Sequence, residues 1–351
     1  MKKIAYIELD THAEIALNFM ELMNDSKAFS VDYYFSEKIL KTLGLQETDN
    51  IKKVSAENIL QNLSQYQLPN TKYDLVLIGT VHRYFNVFEK IAEKFNTSII
   101  CHNLNFVKAS NFNLLISIFK EDFKYRLKLL LKEGLLRKSY VYKKAKNLLV
   151  LDENLAKENY NNLPIFYTKF FDKPDNETFT IVIPGAVSQK RRNYDKIIKE
   201  LSISTSLNVT KFEIIFLGKA QGKELEMLQN FEQNKPENIF IKYFTEKVPQ
   251  DVFDDYMQKA NILWCPIQQE TEFFSQKEIY GITKMSGNIG DAIKFGKLAI
   301  FPENYPSKYA FIISEKVSLE DALFVKKEID FSDFNKEKVL KQLEKTIFAL
   351  L

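Results

Sequence analysis

The chain is poor in residues that staple a fold or hold a metal: its 351 residues include 2 Cys, 3 His and 1 Trp. Cys101 and Cys265 each sit inside an apolar run and lie far apart in sequence, which excludes a disulfide framework and points to a reducing compartment. A zinc site is not expected from so few ligands of the right type. An excess of one charge is missing too, since 49 Lys+Arg stand against 46 Asp+Glu for a formal +3, and a nucleic-acid partner is not expected. No long hydrophobic run is present. The opening, MKKIAYIELDTHAE, carries two lysines but only a short apolar stretch before Glu8 and Asp10. That is too short for a signal-peptide core or a membrane span, so the expected location is the cytoplasm.

What is present is the composition of an ordinary globule, 45% hydrophobic and 27% charged. A chain of this length suggests about two domains. Short runs rich in Ile, Val and Tyr alternate with segments of helical period, the pattern of a parallel, doubly wound α/β sheet. In the first half the strand candidates are Ile4 to Leu9, Val31 to Phe35, Asp74 to Ile78, Ser98 to Cys101 and Leu148 to Leu151, with helical patterns near 13–24, 85–95 and 112–132. In the second half they are Thr180 to Ile183, Glu213 to Leu217, Ile239 to Tyr243, Ile262 to Pro266 and Leu298 to Phe301. The polar stretch from Asp172 to Glu177 is the expected linker, which divides the chain into domains 1–171 and 178–351. The final amphipathic segment, Lys336 to Leu351, closes the second domain or docks back on the first.

Open parallel sheets bind ligands beyond the carboxyl ends of their strands. All the histidines obey this rule: His12, His82 and His102 each follow a strand candidate of the first half. Imidazole suits proton transfer or a bond to a sugar hydroxyl near neutral pH. In the second half, the strand from Ile181 leads to Gly185 and then to a cationic cluster, Lys190, Arg191 and Arg192, before a helix from Tyr194 to Leu201. Glycine lets a ligand approach the backbone, and a cation just before a helix is at odds with the helix dipole unless an anion joins it. A diphosphate is such an anion, for which Lys190 or Arg191 is the expected partner. A second loop carries Gly281, Thr283, Lys284, Ser286 and Gly287 into a helix that ends at Gly296 and is followed by an apolar strand. Small residues with a lysine at a helix N-terminus suit a phosphate, although Gly287-Asn-Ile-Gly290 is neither a Walker A loop nor a dinucleotide fingerprint.

Two α/β halves, a glycine turn with cations opening the second, and a Gly-rich loop, helix and strand near its end together resemble the GT-B fold glycosyltransferases, in particular the broad family 4 group. The resemblance implies two Rossmann-like domains facing a cleft, the first taking the acceptor and the second a nucleotide-sugar co-substrate, with no further cofactor. It places the donor diphosphate on Gly185, Lys190 and Arg191, and makes the Phe216-Leu-Gly218 strand end part of the donor site. Retaining members usually carry two glutamates eight positions apart, the second opening a helix. Here that helix reads Asp291-Ala-Ile-Lys-Phe-Gly296, so Asp291 takes the second place, on the nucleotide ribose, while Thr283 stands where the first glutamate is expected. Glu270 and Glu278 have the spacing but precede the loop, and are read as coincidence. Thr283, Lys284, Ser286 and Gly287 then hold the diphosphate without a metal. By order of elements His102 is the first choice for base or sugar ligand, ahead of Asp10 and His12.

From Phe123 to Asn147 nine cations face one acid, a local +8. Phe119, Phe123, Leu127, Leu130 and Leu131 recur at helical spacing, so this segment is expected to form an amphipathic helix suited to an anionic bilayer. The function expected from all this is a glycosyltransferase acting on a glycan or lipid-linked acceptor in cell-envelope polysaccharide assembly. The alternatives are a nucleotide-sugar epimerase of the same fold, or a binding protein of that fold without catalysis.

Overall fold

The computed structural model describes residues 1–65, 72–157, 159–170, 178–203, 211–315 and 329–351. The expected linker at 172–177 lies outside the described residues.

Ten apolar runs form strands in the places the sequence marks. They are joined by short strands that have no such run. In the first half these are β1 (Lys2–Glu8), β2 (Phe29–Phe35), β3 (Ile51–Lys53), β4 (Leu75–Ile78), β5 (Thr97–Ile100), β6 (Asn147–Val150) and β7 (Tyr160–Asn162). Every pair is parallel, in the order β3-β2-β1-β4-β5-β6-β7. The second half contains β8 (Phe179–Pro184), β9 (Phe212–Lys219), β10 (Ile239–Phe244), β11 (Ile262–Trp264), a β12–β13 hairpin (Glu270–Phe273 and Gln276–Ile279), β14 (Leu298–Phe301) and β15 (Ile312–Ser314). Its sheet is also parallel, ordered β10-β9-β8-β11-β14-β15. Each sheet therefore has a reversal of strand order beside its first strand, between β1 and β4 and between β8 and β11. These are the crevices where doubly wound sheets receive ligands.

Strands buried on both faces explain the near-continuous apolar runs. In β1, Ala5 and Ile7 face one core and Ile4 and Tyr6 the other. In β8, Ile181 and Ile183 face one core of the second sheet and Val182 the other. Cys101 and Cys265 are both buried and unbonded to each other.

The segment expected to be one helix over 112–132 is instead two, Asn111–Ile118 and Phe123–Lys132, separated at Asp122, whose φ of 48° places it in the left-handed region. Its buried face is not the expected stripe either. Arg126 and Leu129 point inward, while Phe119, Phe123 and Leu131 are exposed.

The closing helix, Lys336–Leu350, lays Val339, Leu343, Ile347 and Leu350 against the same core as β1 and β2. Asn96 Nδ2 donates to Leu350 O at 3.1 Å and Ser26 Oγ to Glu344 at 2.6 Å, so the end of the chain is fixed to its first half.

Candidate active site

The two halves enclose a cleft of about 1160 Å³, and side chains from both line it. His12 and His102 come from the first half, and Lys284, Gly287, Asp291 and Lys294 from the second.

The imidazoles gather because β1, β4 and β5 are neighbours whose carboxyl ends open on one edge. His12 stacks on His102 with ring centroids 3.9 Å apart, and His82 stands 5.9 Å from His102. His12 has φ 60° and ψ 40°, a left-handed conformation uncommon for a residue with a side chain, and it opens the helix Ala13–Met23. Its Nδ1 lies 3.2 Å from Glu14 Oε1, which fixes the ring and leaves Nε2 free to accept a proton. Burial lifts the Glu14 carboxyl, but the bond and charge of His12 outweigh it, so the net displacement is downward. His102 donates from Nε2 to Gly79 O at 2.8 Å, which leaves Nδ1 as an acceptor. Burial, aided by the charges of His12 and His82, holds the His102 imidazole well below its ordinary value, so it is neutral at physiological pH.

Beneath this loop lies Glu8, fully buried, accepting from Thr80 Oγ1 at 2.7 Å, Asp10 N at 3.1 Å and Thr11 N at 3.3 Å. Burial pushes its carboxyl up to about 7. Glu8 thus holds the chain that carries His12.

His102 and Asn103 are positioned by the helix that follows them, Leu104–Lys108, which is too short to persist alone. Charges clamp it at both ends. The carboxylate of Glu278, fully buried, accepts from the N–H groups of Phe106 (2.8 Å) and Asn105 (3.2 Å), and the ammonium of Lys138, equally buried, donates to the carbonyls of Phe106 (2.7 Å), Val107 (3.0 Å) and Ala109 (2.6 Å). Acid at the N-terminus and cation at the C-terminus both complement the helix dipole. Glu278 reaches across from the second half and serves there as a helix clamp. Glu270, by contrast, is exposed on the hairpin and pairs with Lys277.

Lys284 bridges the halves by donating to Asn103 Oδ1, and Asn103 Nδ2 lies 3.3 Å from His82 Nε2. Burial lowers the Lys284 ammonium to about 8; Glu278 opposes the shift and Arg191 adds to it. The other residues expected in this loop shape it. Thr283 Oγ1 accepts from Ile279 N at 2.8 Å, its carbonyl accepts from Leu104 N at 2.9 Å, and Ser286 Oγ caps the helix Gly287–Phe295 by accepting from Asn288 N at 3.3 Å. Asp291, one turn on, accepts from Asn288 Nδ2 at 3.1 Å, and burial raises its carboxyl to about 6.

The glycine turn of the second sheet is built around Arg192. Gly185 has φ 99°, and a Cβ there would meet the Arg192 guanidinium at 2.3 Å. Gly218 passes under the same turn, where a Cβ would meet Gly185 O at 2.2 Å, so it makes room for the turn. Arg192 donates to Ala186 O at 3.2 Å and lies 3.4 Å from Asn288 Oδ1, while its Nε is buried without a partner among the described residues. Lys190 and Arg191 are exposed beside it. Only charge sign and position in the cluster were readable in sequence, which is why Arg192 was passed over for its neighbours. Glu14 and Lys294, which read in sequence as ordinary helix residues, also line the cleft.

Asp10 does not line this cleft. It faces a separate cavity of about 390 Å³ with Lys38, Lys53, Arg83 and Tyr84, where its carboxylate lies 3.5 Å from Lys38 and 3.6 Å from Arg83. Among the described residues no three His, Cys, Asp or Glu side chains form a group able to hold a metal ion.

No protein-family model matches the chain, and no curated protein matches it by sequence. Its fold is nonetheless found among solved structures. The pneumococcal O-GlcNAc transferase GtfA, in complex with UDP and GlcNAc, superposes with a TM-score of 0.55 at 10% identity over 99% of both chains. The lipopolysaccharide outer core galactosyltransferase WaaB gives 0.54 at 11% identity over 99% of this chain and 100% of its own. The UDP-GlcNAc 2-epimerase from Methanocaldococcus jannaschii gives 0.53 at 10% identity over 99% of both. With two parallel doubly wound sheets meeting at a cleft, the chain has the GT-B fold, the architecture of those glycosyltransferases and of that epimerase.

Proposed function

We propose that the protein is a metal-independent glycosyltransferase of the hexosyltransferase type, moving a sugar from a nucleotide-sugar donor to a glycan or lipid-linked acceptor in cell-envelope polysaccharide assembly. The observation that carries this reading is the convergence on one cleft of His12 and His102 from one half with Lys284, Asp291 and a helix N-terminus at Gly287 from the other. Cations and N–H groups on one wall suit a diphosphate, and imidazoles opposite suit a sugar and a hydroxyl nucleophile. The UDP and GlcNAc held by GtfA, and the UDP-sugar in the epimerase's name, support a nucleotide-sugar ligand.

In this reading Lys284, with Arg192, Lys190 and Arg191 at the Gly185 turn, neutralises the diphosphate as the leaving group gains charge. Asp291, ionised at neutral pH, accepts from the ribose hydroxyls. Thr283, Ser286 and Gly218 act by shaping the two loops. Neutral His102 accepts a sugar hydroxyl at Nδ1. His12, oriented by Glu14, takes the proton of the acceptor hydroxyl as that oxygen bonds to the anomeric carbon and the bond to the diphosphate breaks. The acceptor enters over the first half, and the Asp10 cavity belongs to its path. The domains are 1–171 for the acceptor and 178–351 for the donor.

The test is to supply UDP-, GDP-, ADP- and TDP-sugars with a panel of free and lipid-linked oligosaccharides, and to follow nucleoside diphosphate release and the extended glycan. Transfer with one donor class is expected. The variant H12A should be slowed roughly 100-fold or more, with nucleotide affinity retained. The epimerase neighbour favours a second reading, in which the same cleft inverts a carbon of the donor's own sugar. A changed sugar on intact donor, with no acceptor needed, would select it.

A further inference from the structure

The helix Asn111–Ile118 carries large apolar residues on its outer side as well as its buried one. Leu114 and Ile118 pack inward, while Phe112, Leu115, Ile116 and Phe119, spaced i, i+3, i+4 and i+7, form a continuous stripe on its outer side. Phe112 is 69% and Phe119 79% exposed, and the ring of Phe123 from the next helix lies 5.8 Å from that of Phe119. Leu131, on the next helix, is 73% exposed. Of the twelve large hydrophobic residues exposed among the described residues, eight fall between 112 and 140. Scattered exposed apolar residues are ordinary, but a ridge of this kind marks a surface that something covers.

The charges around the ridge indicate what covers it. Lys120, Lys124, Lys128 and Lys132 are exposed beside it, against the exposed acids Glu121 and Asp122. Farther along, Lys143, Lys144 and Lys146 are exposed as well. Two of the cations counted in the sequence are not available. Arg126 is buried, donating to Ser117 O and Ser275 Oγ, and Lys138 clamps a helix end. Arg137, Lys144 and Lys128 are paired with Glu89, Glu93 and Glu133. What remains is an apolar ridge flanked mainly by lysines, the combination that buries its rings at the acyl boundary and sets its ammonium groups among anionic headgroups. No helix among the described residues is long and apolar enough to cross a membrane.

We infer that this ridge seats the protein on an anionic lipid surface, with Phe112, Ile116, Phe119 and Phe123 inserted and Lys124 and Lys132 on the headgroups. The contact differs from the one expected in the sequence: the inserted element is the 111–123 corner, and the basic helix after it supplies the charge. The inference is separate from sugar transfer and is tested without donor or acceptor.

The experiment is flotation of the full chain with vesicles of phosphatidylcholine alone and with about a third phosphatidylglycerol, at low and high salt. Binding to the anionic vesicles, weakened by salt, is expected. The double variant F112S/F119S should bind at least about tenfold less, because two large apolar side chains are lost from the inserted face. The variant K124E/K132E should lose the preference for anionic lipid. A melting temperature and circular dichroism spectrum matched to the parent's show that each variant is folded. Failure of the parent to float with anionic vesicles at low salt would overturn the inference. So would salt-insensitive self-association of the parent that F112S/F119S abolishes without any vesicle binding, since the ridge would then be covered by a second copy.

Discussion

Lys284 concentrates the electrostatics of the cleft in one side chain. It is desolvated, its ammonium has fallen to about 8, and its hydrogen bond crosses to Asn103 in the other half. A diphosphate binds the ammonium form, which free protein holds below pH 8 and loses above it. Nucleoside diphosphate affinity should therefore be flat from about 6.5 to 8 and fall by up to tenfold per pH unit beyond. Below 6, where Asp291 takes up a proton, affinity should fall again on the ribose side. Calorimetric titration against pH reads both limbs. In K284A the alkaline limb should disappear and the plateau affinity drop by about 1.5–3 kcal/mol, the worth of one charge-assisted bond. An alkaline limb that survives the substitution would assign the titration to another group. The residues singled out in the sequence separate at this scale. A charge or imidazole after a strand can be seen in a string of letters, and the structure brings His12, His102, Lys284 and Asp291 to one cleft. Which of three adjacent cations turns inward over Gly185 depends on a backbone turn, and the sequence pointed to Lys190 and Arg191 where the structure buries Arg192 Nε.

At the scale of elements, the β12–β13 hairpin ties the halves together. Phe274, 9% exposed, belongs to the core of the first sheet although it comes from the second half, with its ring 5.2 Å from that of Phe106 and the Arg126 guanidinium 5.5 Å above it. Phe274 and Ser275 have φ of 50° and 53°, so the turn is held in the left-handed region by what surrounds it. Removing the ring should cost about 3–5 kcal/mol of packing, the usual range for a buried phenylalanine. In F274A, hydrogen exchange at the Asn105 and Phe106 amides, both bonded to Glu278, should accelerate by two orders of magnitude or more, with β1 and β4 unchanged. Unaltered exchange there would mean that the hairpin does not fasten the site helix. The long strands were legible because burial on both faces leaves apolar runs. The hairpin was not, since its first strand alternates exposed and half-buried residues and its partner is about 170 positions away in sequence. The short edge strands β3, β7 and β15 were missed for a similar reason: three residues make no periodic pattern. The helix break at Asp122 carries neither glycine nor proline to announce it.

At the scale of the molecule, both sheets repeat one strand order, and the cleft lies where their carboxyl ends meet. That geometry brings residues more than 180 positions apart, such as His102 and Lys284, to one cleft. The exposed apolar ridge at 111–123 is a separate surface of the first half. It leads directly into the helices whose clamped neighbour positions His102, so a protein seated on lipid would hold its cleft at a fixed attitude to the bilayer. The central claim is that the cleft binds a nucleotide-sugar through Lys284. The most direct measurement is thermal unfolding in the presence of UDP, GDP, ADP, TDP and CMP and their sugars, for the parent and for K284A. A ligand confined to the folded state adds about 2.7 kcal/mol at 100 times its dissociation constant. The account predicts that one base class raises the melting temperature of the parent by several degrees and that of K284A far less. No shift with any nucleotide, or an equal shift in both proteins, would contradict it.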